Sequence, residues 1–294
     1  MDERAWLAER FEENRPHLRS VAYRMLGSLS DADDAVQEAW QRLSRVDAGD
    51  VENLSGWLTT VVARISLNML RGRRTRREEP LEVRVPDPIV TPEAGIDPEH
   101  EAVLADSVGL AMLVVLDTLT PAERLAFVLH DMFAVPYEQI APMLERSPVA
   151  ARQLASRARR RVQGRAPVPD PDLGRQREVV DAFFAAARDG DFDGLVAVLD
   201  PDVVLRADGG AARTRPTVML RGARAVAENA STARKLARFV RPALINGSAG
   251  VVVTIHGQVF SVMGFTVADG RIVAIDVLYD PERLAALDLT PLGG

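Results

Sequence analysis

Between Gly164 and Gly174 the proline-rich stretch GRAPVPDPDLG interrupts the chain, and the hydrophobic period changes across it. Upstream, apolar residues recur every three or four positions. Downstream, two short helical patterns (Val179, Val180, Phe183, Phe184, Ala187, then Phe192, Leu195, Val196, Leu199) run to Asp200-Pro201, and most of the remaining chain reads as strand. Val203 to Arg206 reads as one strand and Ala223 to Phe239 as a helix. RPALIN, GVVVTIHGQVF, SVMGFTVADG and RIVAIDVLY then read as four more strands, with Asp269-Gly270 as a hairpin turn. Within this downstream part, helices first and a long antiparallel sheet last make a compact α+β domain of about 120 residues, preceded by helical units. At 294 residues the chain suits two or three cores better than one.

The upstream part divides further. Trp6, Leu7, Phe11, Leu18, Val21, Ala22, Met25 and Leu26 fall at helical spacing over residues 4–26, with Pro16 as a break or a helix start and Gly27 as a stop. In SLSDADDAVQEAWQRL, which starts at Ser28, Ser30 is the expected N-cap with Asp33 three residues on. Ala32, Ala35, Val36, Ala39, Trp40 and Leu43 form its apolar stripe; Asp33, Asp34, Gln37, Glu38 and Gln41 form the opposite, acidic and amide face. A helix from Gly56 to about Arg71 buries Trp57, Leu58, Val61, Val62, Ile65 and Met69, and Arg64, Asn68 and Arg71 line a neighbouring face. By spacing, Trp57 belongs to the core. Residues 78–105 are rich in Pro and Glu, lack a sustained period and read as a linker. A helix over Asp106–Asp117 follows, and Thr120-Pro121-Ala122-Glu123 opens the next helix as a capping box.

The stretch PYEQIAPMLERSPVAARQLASRARRRV, Pro136 to Val162, reads as helix, tight turn, helix. Ser147 caps the second helix and Pro148 takes its first position. Ala151, Ala155, Ala158 and Val162 fall on one narrow face, and Arg152, Gln153, Ser156, Arg157 and Arg160 fall opposite. Seven arginines and no acidic residue lie between Arg146 and Arg165. That pattern suits a major groove, with Arg and Gln for base edges and Arg and Ser for phosphates. Pro142 is at odds with it, since it removes a hydrogen bond inside the first of these helices and is expected to bend it.

Charge and composition narrow the function. The net charge of −6 argues against a protein that coats nucleic acid indiscriminately, whereas basic residues concentrate at Arg64–Arg77 and Arg146–Arg165. There is no cysteine, and four scattered histidines make poor metal ligands, so no metal and no cofactor is expected. No apolar run is long enough to span a membrane and Met1-Asp2-Glu3-Arg4 opens no signal peptide, so the expected location is the cytoplasm.

DADDAVQEAW, then SGWLTTVVARISLNMLRGRRTRRE, then LTPAERLAFVL and the helix-turn-helix, in that order, resemble the extracytoplasmic-function (ECF) sigma factors of bacterial RNA polymerase over residues 5–165. The resemblance implies two all-α sigma domains: region 2 over residues 1–78 and a helix-turn-helix region 4 over 106–165, joined by the linker 79–105. It implies that Asp34, Gln37, Glu38 and Gln41 bind core RNA polymerase. Arg64, Asn68, Arg71, Arg73 and Arg74, with Arg76 and Arg77, would face the minus-10 promoter strand. Arg152, Gln153, Ser156, Arg157 and Arg160 would face the minus-35 element of promoter DNA. After a second linker, 166–174, residues 175–294 resemble an NTF2-like, SnoaL-like cone domain, the extension of one sigma-factor subgroup. VPDPIVTPE in the linker, Asp208-Gly209-Gly210 after the first strand and Asp280-Pro281-Glu282-Arg283-Leu284 after the last carry that resemblance. Ala211-Ala212 departs from its pattern. Asp208, Gly209, Gly210, Asp280, Glu282 and Arg283 are thereby the candidate regulatory contacts. NTF2-like domains also include isomerases and cyclases. Asp208, His256, Asp276 and Tyr279 are the residues an enzyme would draw on, but no pair of them stands at a spacing that demands catalysis. A regulatory or ligand-sensing domain, with a small molecule in its pocket, is the preferred reading. A repressor using only the helix-turn-helix would leave DADDAVQEAW unexplained.

Overall fold

The computed structural model describes residues 3–45, 53–76, 84–93, 109–163, 167–210, 216–232 and 234–289. The chain forms two compact units: Met1–Pro80 with Val115–Arg165, and Leu81–Val114 with Ala166–Gly294.

The first unit is helical. α1 (Glu3–Leu26), α2 (Leu29–Leu43) and α3 (Leu54–Arg76) pack around Phe11, Leu18, Met25, Leu43, Leu58 and Leu67, and the Phe11 and Trp40 rings meet at 5.0 Å. α1 runs through Pro16 without the expected break. The missing N–H leaves the Glu12 carbonyl without its helical donor, but Glu12 and Pro16 are exposed, so water can replace it. The cap of α2 is Ser28, two residues before the expected Ser30. Ser28 has the extended backbone a cap needs, and its Oγ accepts from the Asp31 N–H at 3.4 Å. Trp57, expected in the core, is only half-buried, while its neighbour Leu58 is fully buried.

α4 (Leu110–Asp117) precedes α5 (Pro121–Phe127), whose capping box is present in both directions: Thr120 N–H donates to Glu123 Oε2 and Glu123 N–H donates to Thr120 Oγ1. A π-helical turn, Val128–Met132, extends α5. α6 (Tyr137–Leu144) retains Pro142 inside it, and the Glu138 carbonyl that loses a donor lies on an exposed residue. The turn after α6 places Glu145 in the left-handed region (φ 55°, ψ 44°), with its N–H donated to Ala141 O. Ser147 Oγ then accepts from Ala150 N–H to start α7 (Pro148–Gln163), whose stripe Ala151, Ala155, Ala158 and Val162 is buried. Across this unit the Arg124 Nε donates to Arg24 O at 3.0 Å, the Arg24 guanidinium lies 4.6 Å from the Phe133 ring centre, and His17 meets Phe133 edge-on.

The second unit contains α8 (Leu173–Asp189), capped by Asp172, and α9 (Phe192–Val198), capped by Asp191. A seven-stranded sheet follows in the order β1-β4-β5-β6-β7-β2-β3, antiparallel except for the parallel pair β2 and β7. The strands are β1 (Val90–Thr91), β2 (Leu199–Asp208), β3 (Val218–Arg221), β4 (Val240–Ile245), β5 (Ser248–Ile255), β6 (Gln258–Ala268) and β7 (Arg271–Leu278). GVVVTIHGQVF, read from sequence as one strand, is two: His256 (φ 51°) and Gly257 (φ 77°) make a hairpin turn between β5 and β6. The expected helix 223–239 is α10 (Ala223–Thr232) followed by a 3-10 turn, Arg234–Phe239. Asp200-Pro201 does not precede β2 but lies within it, where the pairing with β7 slips between Leu199 and Val204. Phe183, Phe184 and Phe265 cluster at 5.4–5.8 Å between α8 and the sheet. The short helix α11 (Pro281–Ala285), capped by Asp280, follows β7.

Candidate nucleic-acid interface and linker clasp

The buried alanines of α7 hold the opposite face outward. Arg152, Gln153, Arg157 and Arg160 are exposed and Ser156 is half-buried. Arg152 lies over the Tyr137 ring at 5.4 Å, and that ring stacks on His130, so the first guanidinium of the face is positioned by α6. Glu123 of α5 accepts from Arg161 Nη1 at 2.8 Å and lies 3.9 Å from Arg157 Nε. Burial alone would raise the Glu123 carboxyl, but the Thr120 hydroxyl and N–H and the charges of Arg161 and Arg157 outweigh it and hold the group below its ordinary value. Val149, 67% exposed in the first turn of α7, is an apolar side chain that the sequence reading passed over. Its signal was available: it is the one large apolar residue of α7's first turn outside the alanine stripe.

On α2, Asp34, Gln37, Glu38 and Gln41 form one exposed strip, with Glu38 hydrogen-bonded to Arg42. On α3, Arg64, Asn68 and Arg71 are exposed, and Arg64 Nη2 donates to Pro142 O at 3.4 Å. Arg73 is partnered within the helical unit. Its Nη1 donates to Leu26 O at 3.1 Å and it pairs with Asp31, which ties α3 to the start of α2. Arg74 and Arg76 belong to α3, but their side chains, like Arg77 as a whole, lie outside the described residues.

The second unit brings together residues more than a hundred positions apart. Asp208 Oδ2 accepts from Val85 N–H (3.0 Å) and from Arg283 Nη1 (2.7 Å), while its Oδ1 accepts from Gly210 N–H. Arg283 Nε donates to Asp87 Oδ1 (2.7 Å) and its Nη2 to Val85 O (2.6 Å). Four residues on, Ile89 and Asn246 exchange hydrogen bonds, and Val90–Thr91 add an edge strand to β4. Arg177 then pairs with Glu93. Part of the stretch that reads as a linker is thus hydrogen-bonded to the C-terminal domain. Asp280 caps α11, which carries Arg283; Gly210 packs so closely on Asp280 that a Cβ there would collide with its carboxylate. The Glu282 N–H donates to the Asp280 carboxylate, but the residue is exposed and, among the described residues, no side-chain bond ties it to the linker.

Residues 10–76 match the Sigma-70 region 2 family and residues 110–162 the Sigma-70, region 4 family. Over 303 aligned positions, 95% of this chain and 93% of the relative, the sequence is 36% identical to the ECF RNA polymerase sigma factor SigJ of Mycobacterium tuberculosis. The chain belongs to the ECF RNA polymerase sigma factors. A second Mycobacterium tuberculosis relative, "Probable ECF RNA polymerase sigma factor SigI", is 33% identical over 99% of this chain and 97% of its own. The crystal structure of Mycobacterium tuberculosis SigJ is similar at a TM-score of 0.77 and 35% identity, covering 96% of this chain and 99% of that one.

In this sigma factor the four residues an enzyme would draw on do not converge on one site. Asp208 is in the clasp. Asp276 is paired in two places with Arg206, at 2.6 and 3.1 Å, and His256 is exposed in a hairpin turn. Tyr279 alone of the four lines the cavity between the sheet and the helices α8 and α10.

Proposed function

We propose that this sigma factor brings core RNA polymerase to a defined promoter class, and that its own C-terminal domain sets its activity by holding the linker between regions 2 and 4. The Asp34, Gln37, Glu38 and Gln41 strip binds the polymerase. Arg64, Asn68 and Arg71 meet the minus-10 strand, and Arg152, Gln153, Ser156, Arg157 and Arg160 meet the minus-35 element. It works in the cytoplasm, where the polymerase is, and without turnover of a substrate. One observation carries the regulatory half: Asp208 and Arg283 of the C-terminal domain grip Val85 and Asp87 of the linker through hydrogen-bonded charges. A tether already at high effective concentration needs only such a local grip to restrict the two DNA-binding regions.

The test is reconstituted transcription with core polymerase and the full chain, comparing Arg283→Ala with Glu282→Ala at matched folded fraction. Arg283→Ala is expected to change promoter output and Glu282→Ala to leave it as it is. Equal output from both and from the unaltered chain removes the regulatory half. No promoter-dependent transcript at all removes the whole reading.

A further inference from the structure

A cavity of about 290 Å³ opens between the face of the sheet that carries Leu205, Met263 and Ile275 and the helical layer that carries Phe183 and Phe184. Protein interiors are close-packed and hold few voids larger than a water molecule. An apolar cavity of about 150 Å³ is already large enough to stay dry and take up benzene. This one is nearly twice that size and sits at the lower edge of the range for small-molecule sites, about 300 Å³ and upward. Among the described residues no charged side chain lines it; Asn229, Ser261 and Tyr279 are the described lining residues with hydrogen-bonding side chains. An ionised ligand would lose its hydration there and gain no counter-charge, so the site selects against one. The described lining also holds no carboxylate or histidine to act as general base, which suits binding without reaction.

The cavity is joined to the clasp by the chain itself. Ala207 and Tyr279 line it. The residues next to them in the chain are Asp208, which holds Val85 and Arg283, and Asp280, which caps the helix carrying Arg283. Tyr279 N–H donates to Asp208 O at 3.0 Å, so the two strand ends move together. We propose that the cavity binds an uncharged, largely apolar molecule of about two fused rings bearing one hydroxyl or carbonyl, and that occupancy shifts the grip on residues 85–87. The second half rests on the regulatory reading above.

The experiment uses the full chain, 2-naphthol as the neutral fluorescent probe and 2-naphthoate as its charged counterpart at neutral pH. Saturable one-to-one binding of 2-naphthol is expected, with 2-naphthoate weaker by about tenfold or more because its carboxylate finds no partner. Ala230→Phe, which fills the cavity away from the clasp, is expected to abolish binding while circular dichroism stays unchanged; Ala187→Leu is the second variant should the first fail to fold. Hydrogen exchange of the Val85 and Ile89 amides is expected to change about threefold or more with 2-naphthol in the unaltered chain, and not in the filled variant. Absence of saturable binding, equal affinity for both probes, or binding that Ala230→Phe and Ala187→Leu leave intact overturns the site. Binding with unchanged linker exchange overturns the coupling. An Arg283→Ala variant with unaltered transcription would instead sink the regulatory reading, and the 2-naphthol isotherm would stand.

Discussion

Glu123 shows how one side chain serves two elements. It closes the capping box of α5 and also pairs with Arg161 of α7, thirty-eight positions away. Its folded carboxyl titrates below the ordinary 4.5, so the stabilisation it supplies is complete above that value and disappears as the pH falls through the lower, folded value. Urea unfolding of the full chain between about pH 6 and pH 3 is expected to show a steeper loss of helix stability than in Glu123→Gln, which has no charge to lose. On α7, Arg152→Ala or Gln153→Ala is expected to relax base preference at one or two minus-35 positions by about 1–3 kcal/mol each. Arg160→Ala is expected to weaken all sequences alike and lower the salt slope by about one. Filter binding to a panel of single-base promoter variants at several salt concentrations separates the two. Val149→Ala belongs with the first class: an exposed branched side chain in the first turn can meet a thymine methyl, so preference for T at one position should fall.

Among the elements, the loop after β2 depends on a glycine. Gly210 has φ +87°, and a Cβ there would run into the Asp280 carboxylate. Gly210→Ala is expected to cost about 1–2 kcal/mol for the backbone alone, and more once Asp280 is pushed off the cap of α11. Thermal unfolding, together with the exchange rate of the Val85 amide, measures both effects; a variant as stable as the unaltered chain with Val85 equally protected contradicts the close packing of Gly210 on Asp280. This loop was legible in the sequence as a marker, because glycines beside Asp208 signal a close backbone approach. Its partner was not legible, because nothing local to Asp208 points to Val85 or Asp87. The β5–β6 hairpin was missed for a different reason: His-Gly is a weaker turn signal than Asn-Gly, and the flanking apolar run hid it.

At the scale of the molecule, the first unit is held by Arg124, 2% exposed, whose guanidinium pairs with Asp117 and donates to Arg24 O a hundred positions earlier. Arg124→Ala takes that donor from the carbonyl of the buried Arg24 and the ion-pair partner from the exposed Asp117. It is expected to destabilise the unit by about 1–3 kcal/mol, read as a fall in the urea midpoint of the helical signal. An unchanged midpoint would show that apolar packing alone joins regions 2 and 4 here.

The sequence by itself determined the helical order, the alanine stripe that turns the arginines of α7 outward, the capping box and the switch to a sheet after Gly174. Each of these is set by residues within one or two turns of one another, where period and capping chemistry act directly. Only the tertiary structure decided that Arg73 pairs with Asp31, that Glu123 restrains α7, and that the linker is gripped by Asp208 and Arg283. Those pairings depend on which charges folding brings within about 3 Å, and charges far apart in sequence carry no local signal of the partner they will meet.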